Sequence, residues 1–304
     1  MSPMPEPEFP KNAFLAVRNL IYILGYDFKI RFPSRENTKD GKPQDAARMH
    51  FVYFTCGRHF DYLLQSIRSL AGTGFGPTGN IYVYVDKKDG FSEEQAAALR
   101  NGAGPDAGLV LRKTKHPMAW GGAGVIVNEL EAFKQIAGGM GPDDYLAKVD
   151  SDILFSSDRI FKKVMESGMD VVGQKTTNEF ATRNAEDAWM QGGLFFLRRK
   201  AAAALSRQPA LFQFLDTLKR TNRGITDCPE DAFLFFLGSR LGLKIEMMRY
   251  MLDIIVSDSM PSSVILEKVD YNWGLFSAWH CRSKQHWLPV LERLRQKKAD
   301  CQGA

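Results

Sequence analysis

From His50 onward, short apolar runs alternate with segments whose apolar residues recur every three or four positions, and this predicts strands and helices in turn. Residues 51–55 form an apolar run that ends in Cys56-Gly57-Arg58. Phe60, Leu63, Leu64, Ile67, Leu70 and Ala71 then fall at helical spacing. A second strand is predicted at 81–85, closed by Asp86. Ser92-Glu93-Glu94-Gln95 opens a helix with acids in its first turn, where the helix dipole favours them. Residues 109–111 read as a third strand, and 123–137 as a helix entered through Gly121 and Gly122. The run 145–149 predicts a strand that ends on Asp150. Strand–helix–strand order with short connections argues for an α/β fold with a mostly parallel central sheet flanked by helices.

The second half is less regular. Residues 168–172 and 194–197 read as strands, and 200–205 as a helix. Pro229-Glu230-Asp231 has the composition of a helix N-terminus, with Phe233, Leu234, Leu237 and Leu241 as its buried stripe. Ala278-Trp279-His280-Cys281 comes late, followed by a basic helix around 288–298. Ahead of the alternating region, residues 1–48 comprise a proline-rich start, a helix predicted at 11–26 and a polar linker. Domain organisation is thus an N-terminal helical extension (1–48) and one large domain (49–304). That domain divides into a more regular first half (49–155) and a second half (156–304).

Composition narrows the class without naming a chemistry. At 304 residues, with 44% hydrophobic and 25% charged residues, the chain suits a soluble globular protein. Its net charge of +5 favours anionic ligands, but no lysine or arginine run is long enough to argue for nucleic acid. Cys56, Cys228, Cys281 and Cys301 show neither paired nor zinc spacing, so they read as reduced thiols of a cytoplasmic protein. No stretch of about 20 apolar residues is present to span a bilayer. Arg18 interrupts the apolar run near the N-terminus, which excludes a secretory signal. Residues 11–26 are expected to pack on the domain, or else to lie peripherally on the inner membrane surface.

The most informative stretch is Asp143-Asp144-Tyr145-Leu146-Ala147-Lys148-Val149-Asp150-Ser151-Asp152-Ile153-Leu154-Phe155. Two carboxylates one residue apart sit between apolar runs, where charged groups are costly unless their desolvation is compensated. A divalent cation supplies that compensation, and carboxylate oxygens suit Mg2+ or Mn2+. In a parallel sheet the ligand lies beyond the carboxyl ends of the strands. Thr55, Arg58, Asp86, Asp150, Ser151 and Asp152 all fall at such ends and are expected to meet at one rim.

Alongside this motif, the segment Pro229-Glu230-Asp231-Ala232-Phe233-Leu234, the glycine pair Gly192-Gly193 before a strand and the late His280 occur in an order that resembles the glycosyltransferase-A (GT-A) fold. The likeness is to the β-1,3-galactosyltransferase and Fringe-like inverting families and spans roughly residues 48–285. Ser151 departs from the pattern, since those families carry a third aspartate there. The resemblance implies a glycosyltransferase that moves a sugar from a nucleotide-sugar, a UDP-sugar, to a hydroxyl-bearing glycan, lipid or protein acceptor. It implies Asp152 as direct metal ligand, Asp150 on ribose or metal-bound water, and His280 completing the Mn2+ or Mg2+ site. Asp231 is then the general base of an inverting displacement, with Glu230 as alternate. Gly121, Gly122, Gly192 and Gly193 let backbone approach the donor closely, and Asp86 accepts from base or ribose.

Plainer readings stand beside these. Asp150 and Asp152 fit a surface turn followed by a capped helix near 156–159, and Glu230 and Asp231 fit first-turn acids. His280 fits a buried histidine bonded to backbone. Trp189, Trp273 and Trp279 fit either sugar-stacking walls or core. Three further functions remain in play: a retaining enzyme of the same fold, a nucleotidyltransferase, and a non-catalytic binding module for nucleotide-sugar or carbohydrate. Only Cys56-Gly57-Arg58-His59 follows the first strand, in place of the glycine-rich basic loop of a nucleotidyltransferase.

Overall fold

A computed structural model describes residues 47–302, apart from 77, 105–106, 119–122, 177–188, 208–233, 235–236, 240, 249–250 and 256–258. The chain opens with β1 (Met49–Thr55), a 3-10 turn (Gly57–His59), α1 (Phe60–Ala71), β2 (Thr78–Val85), α2 (Glu93–Ala103) and β3 (Leu109–Lys113). Next come α3 (Ala123–Ala137), β4 (Tyr145–Asp150), β5 (Ile153–Phe155) and α4 (Arg159–Ser167). β6 (Val171–Thr176), β7 (Trp189–Arg198), α5 (Arg199–Ser206), β8 (Ile245–Met248) and β9 (Leu252–Ile255) follow. α6 (Ser262–Asn272), β10 (Ala278–Cys281) and α7 (Lys284–Gln302) complete the described elements.

Seven strands form the main sheet in the order β3-β2-β1-β4-β7-β6-β8. β1 pairs parallel with both β2 and β4, and β2 parallel with β3. β7 runs antiparallel to both of its neighbours, so it is the one reversed strand of this sheet. Burial on both faces explains why β1 and β4 read as continuous apolar runs with no polar alternation. On one face Val52, Leu146, Phe195 and Leu197 pack against Ile126, Leu130 and Phe133 of α3 and Leu205 of α5. On the other, Phe51, Tyr53, Ala147 and Val149 pack against Leu63 and Ile67 of α1 and Phe161 and Val164 of α4.

A second sheet, β5-β10-β9, holds what the sequence pattern merged or missed. Residues 153–155 are a strand of this sheet, antiparallel to β10, and β10 lies parallel to β9. α6 and α7 cover this sheet through Ile265, Val269, Val290 and Leu291. Neither β8, β9 nor α6 is predicted by the sequence pattern. The strand expected at 168–172 starts at Val171, because Gly168 (φ +63°) ends α4 in the left-handed conformation. The predicted helix at 11–26 and the N-terminal extension lie outside the described residues, as does most of the helix expected after Pro229. Among the described residues no helix is long and apolar enough to cross a membrane.

Candidate functional site

Asp150 is the last residue of β4, and β4 lies beside β1 with Phe54 opposite Asp150. A two-residue turn through Ser151 and Asp152 then sends the chain into β5. β10 fixes that turn from the other side: Ile153 pairs with His280, and the Cys281 amide donates to the Asp152 carbonyl at 3.0 Å. His280 Nε2 lies 3.1 Å from Asp152 Oδ1. One ligand atom from each of Asp150, Asp152 and His280 falls within 4.8 Å of the others.

Two trans ligands of a magnesium-type ion stand about 4.2 Å apart, from bonds of about 2.1 Å. The 3.1 Å between His280 and Asp152 suits neighbouring ligands of one ion, and Asp150 lies close to both. The donor set fits such an ion: two carboxylate oxygens and one imidazole nitrogen suit Mn2+ or Mg2+. A second observation agrees. Arg282 Nε, which can only donate, lies 3.3 Å from the same His280 Nε2 that faces Asp152. One ring nitrogen cannot accept from arginine and donate to a carboxylate at once. Arg282 and Asp152 therefore compete for this one nitrogen, and a cation that takes its lone pair would also satisfy the carboxylate. Burial opposes ionisation of Asp152, but the hydrogen bond and charge of His280, with Arg282, outweigh it and hold the carboxyl below its ordinary pKa.

The His280 ring is 1% exposed, and its Nδ1 has no hydrogen-bond partner among the described residues. The ring sits against Gly193 of β7, where a Cβ would stand 2.7 Å from Nδ1. Gly192, one residue earlier, accepts at its carbonyl from Lys148 Nζ at 2.8 Å. Thus the reversed strand brings the two predicted glycines to Lys148 and His280, the neighbours of the acid pair. Ser151 is buried within the turn.

Other predicted residues lie along the same rim with different engagements. Thr55 ends β1 and is buried, with its hydroxyl toward the Cys56 carbonyl. Asp86 follows β2, and its two oxygens accept from the amides of Lys88 and Met118, each at 2.8 Å. Its carboxylate thereby shapes the loop at the rim. Arg58 is exposed and faces Asp89 with Nε 3.5 Å from Oδ2. Gly121, Gly122, Glu230 and Asp231 lie outside the described residues.

The plainer readings separate in the same way. The cap position of α4 is Asp158, which makes no side-chain capping bond, so the acid pair serves no helix start. Trp279 is fully buried in the core beneath the second sheet, with Trp273 packed against that core, which corrects the sugar-wall reading of Trp279. The Trp189 side chain lies outside the described residues. His286 is buried, with Nδ1 3.1 Å from the Ser262 hydroxyl. His50 lies at the opposite end of the sheet, held by Asp144 and the Asn80 amide.

Three residues at the site are given no role by the sequence reading. Lys148 is buried in β4 and donates to Asp150 Oδ1 at 2.7 Å. Glu129 is buried in α3, 3.7 Å from that ammonium. Arg282 is the third. A lysine inside a fully buried strand and a glutamate beside the stripe of Ile126, Leu130 and Phe133 were the available signals for the first two.

No protein-family model matches the chain. No curated protein sequence matches it either. Solved structures do resemble it. The galactosyltransferase LgtC, in complex with donor and acceptor sugar analogs, is 11% identical with a TM-score of 0.50, covering 83% of this chain and 96% of its own. An active-site mutant of LgtC is 10% identical with a TM-score of 0.51, over 82% and 96% of the two chains. Mouse xyloside xylosyltransferase 1 in its apo form gives 9% identity and a TM-score of 0.46 over 77% and 97%. With its reversed strand, second sheet and rim of carboxylates, the chain has the GT-A fold that its ordered motifs led one to expect.

Proposed function

We propose that this protein is a metal-dependent glycosyltransferase that moves a sugar from a UDP-sugar to a hydroxyl acceptor. The observation that carries the reading is the convergence of Asp150, Asp152 and His280 at the carboxyl rim of the sheet. Likeness to a galactosyltransferase bound to donor and acceptor analogs supports it at the level of fold. Asp152 and His280 would hold Mn2+ or Mg2+ directly, with Asp150 completing the set. Such an ion neutralises charge that develops on a leaving nucleoside diphosphate. Thr55 and Asp86 border the rim where the nucleoside would lie, and Gly192 and Gly193 border the sugar. Asp231 is the proposed base for the acceptor hydroxyl, which makes the reaction inverting. That role rests on the Pro229-Glu230-Asp231 motif alone.

The test is release of UDP from a panel of UDP-sugars in the presence of Mn2+. Asp152→Asn is expected to lower turnover about a hundredfold, the scale on which removing a charge-stabilising group acts. Unchanged turnover would remove the metal role. Asp231→Asn is expected to cost at least about a hundredfold if it is the base. NMR of the product anomer checks the stereochemistry, and a retained configuration would reduce Asp231 to a positioning role.

A further inference from the structure

We infer that Lys148 is a positioning residue for the cation site, holding Asp150 in place and tying it to the strand that backs His280. This role rests on the proposed metal site. Along β4 the side chains alternate, and Lys148 shares the α3 face with Leu146 while Tyr145, Ala147 and Val149 face the other way. Its ammonium therefore sits inside the core, 2% exposed and 5.8 Å from the centre of the Phe195 ring.

Attraction to Glu129 alone is a weak reason for a lysine there. Its carboxylate neighbour within the core, Glu129, is 0% exposed and stands 3.7 Å away, beyond hydrogen-bond distance. Buried ion pairs return little, because the desolvation of two charges offsets their attraction. The short contacts of Nζ go elsewhere: 2.7 Å to Asp150 Oδ1 and 2.8 Å to the Gly192 carbonyl.

These two contacts join the end of β4 to β7. Gly192 precedes the glycine against which the His280 ring rests, so the ammonium links two ligands that come from different sheets. The contact at Oδ1 fixes the direction in which the Asp150 carboxylate faces Asp152 and His280. Glu129 balances the lysine charge, so the pair orients Asp150 without adding net repulsion toward a divalent ion. Outer partners of metal ligands act in this way.

The experiment measures Mn2+ binding by electron paramagnetic resonance in the presence of UDP, with thermal unfolding as the control for fold. Two charge-balanced double variants are compared with wild type: Glu129→Leu with Lys148→Met, and Glu129→Gln with Lys148→Gln. Each removes one positive and one negative charge, so a change in affinity reports position more than net field. The expected result is Mn2+ binding weakened by about tenfold or more with a near-native melting temperature. A wild-type chain that binds no Mn2+ overturns both this role and the proposed function. Wild-type binding matched by a folded double variant overturns this role alone. Loss of the fold in both variants makes the pair a structural one and also overturns it.

Discussion

Two histidines show how the same local arrangement serves different ends. His50 and His280 each rest against a glycine, and a Cβ at Gly79 or Gly193 would stand 2.6 or 2.7 Å from the ring Nδ1. Both ring nitrogens of His50 are engaged: Nδ1 accepts from the Asn80 amide at 3.0 Å, and Nε2 meets Asp144 at 3.2 Å. Asp144 also accepts from the amides of Arg48 and Gly141, so this cluster joins the start of β1 to the approach to β4. His280 makes no such bond at Nδ1 and turns Nε2 toward Asp152. Gly79→Ala is therefore expected to lower the melting temperature, while Mn2+ binding by the folded fraction stays at the wild-type level. Gly193→Ala is expected to push the buried His280 ring off Asp152 and weaken Mn2+ binding about tenfold. Calorimetric titration with Mn2+ alongside thermal melts checks both. Equal effects of the two substitutions on binding would contradict the assignment.

At the scale of elements, capping and packing explain the boundaries, and each makes a prediction. α2 starts at a complete capping box: the Ser92 hydroxyl accepts from the Gln95 amide at 3.2 Å, and the Gln95 side chain accepts from the Ser92 amide at 2.9 Å. Ser92→Ala should cost about 1 kcal/mol in a denaturant titration with no change in metal binding, since the cap is remote from Asp152. α6 and α7 are joined by Asp270, which takes a fork of bonds from Arg293 and lies 3.1 Å from Lys297. The Arg293 hydrogen bonds, against a smaller desolvation effect, hold the Asp270 carboxyl below its ordinary pKa. A depressed folded-state pKa contributes stability above the unfolded value of about 3.9 and loses it as pH falls through the folded value. Asp270→Asn should thus be slightly less stable than wild type at pH 7, and the two should converge in strong acid. The pair is partly exposed, so salt should narrow the difference as well. Unfolding curves across pH would show the convergence, and a constant gap would refute it.

For the whole molecule, what matters is that β4, β5, β7 and β10 meet in one place although they belong to two sheets. β7 enters between β4 and β6 in the reverse direction and carries Gly192 and Gly193 past the end of the β4 pairing. β10 comes from late in the chain and pairs with β5 directly after the Asp150–Asp152 turn. A site made of such distant segments should couple ligand binding to global unfolding. Mn2+ and UDP together are expected to raise the melting temperature more than the sum of their separate shifts, because each completes the site for the other. Ligand at a hundred times its dissociation constant stabilises by about 2.7 kcal/mol. Asp152→Asn should abolish the joint shift. Additive shifts in wild type would argue against one shared site.

Much of this architecture is already legible in local pattern. β1, β2 and β4 are short apolar runs bounded by polar residues, and α1, α2 and α3 carry one apolar stripe each, so neighbouring residues alone specify them. Asp150 and Asp152 stand out because carboxylates between two buried runs ask for compensation, and their position at a strand end follows from the same pattern. The reversal of β7, the second sheet, and the engagement of Asp86 by backbone amides leave no comparable trace, because pairing partners far apart in the chain impose no period on it. Nor does any local pattern show that Lys148, in the middle of an apolar strand, reaches Asp150 and Gly192. Type and spacing of residues along the chain proposed the acids. That His280, Gly192 and Gly193 meet them, as the resemblance implies, depends on contacts across more than forty positions, and that Glu129 and Lys148 do depends on how α3 packs on β4; only folding brings these together.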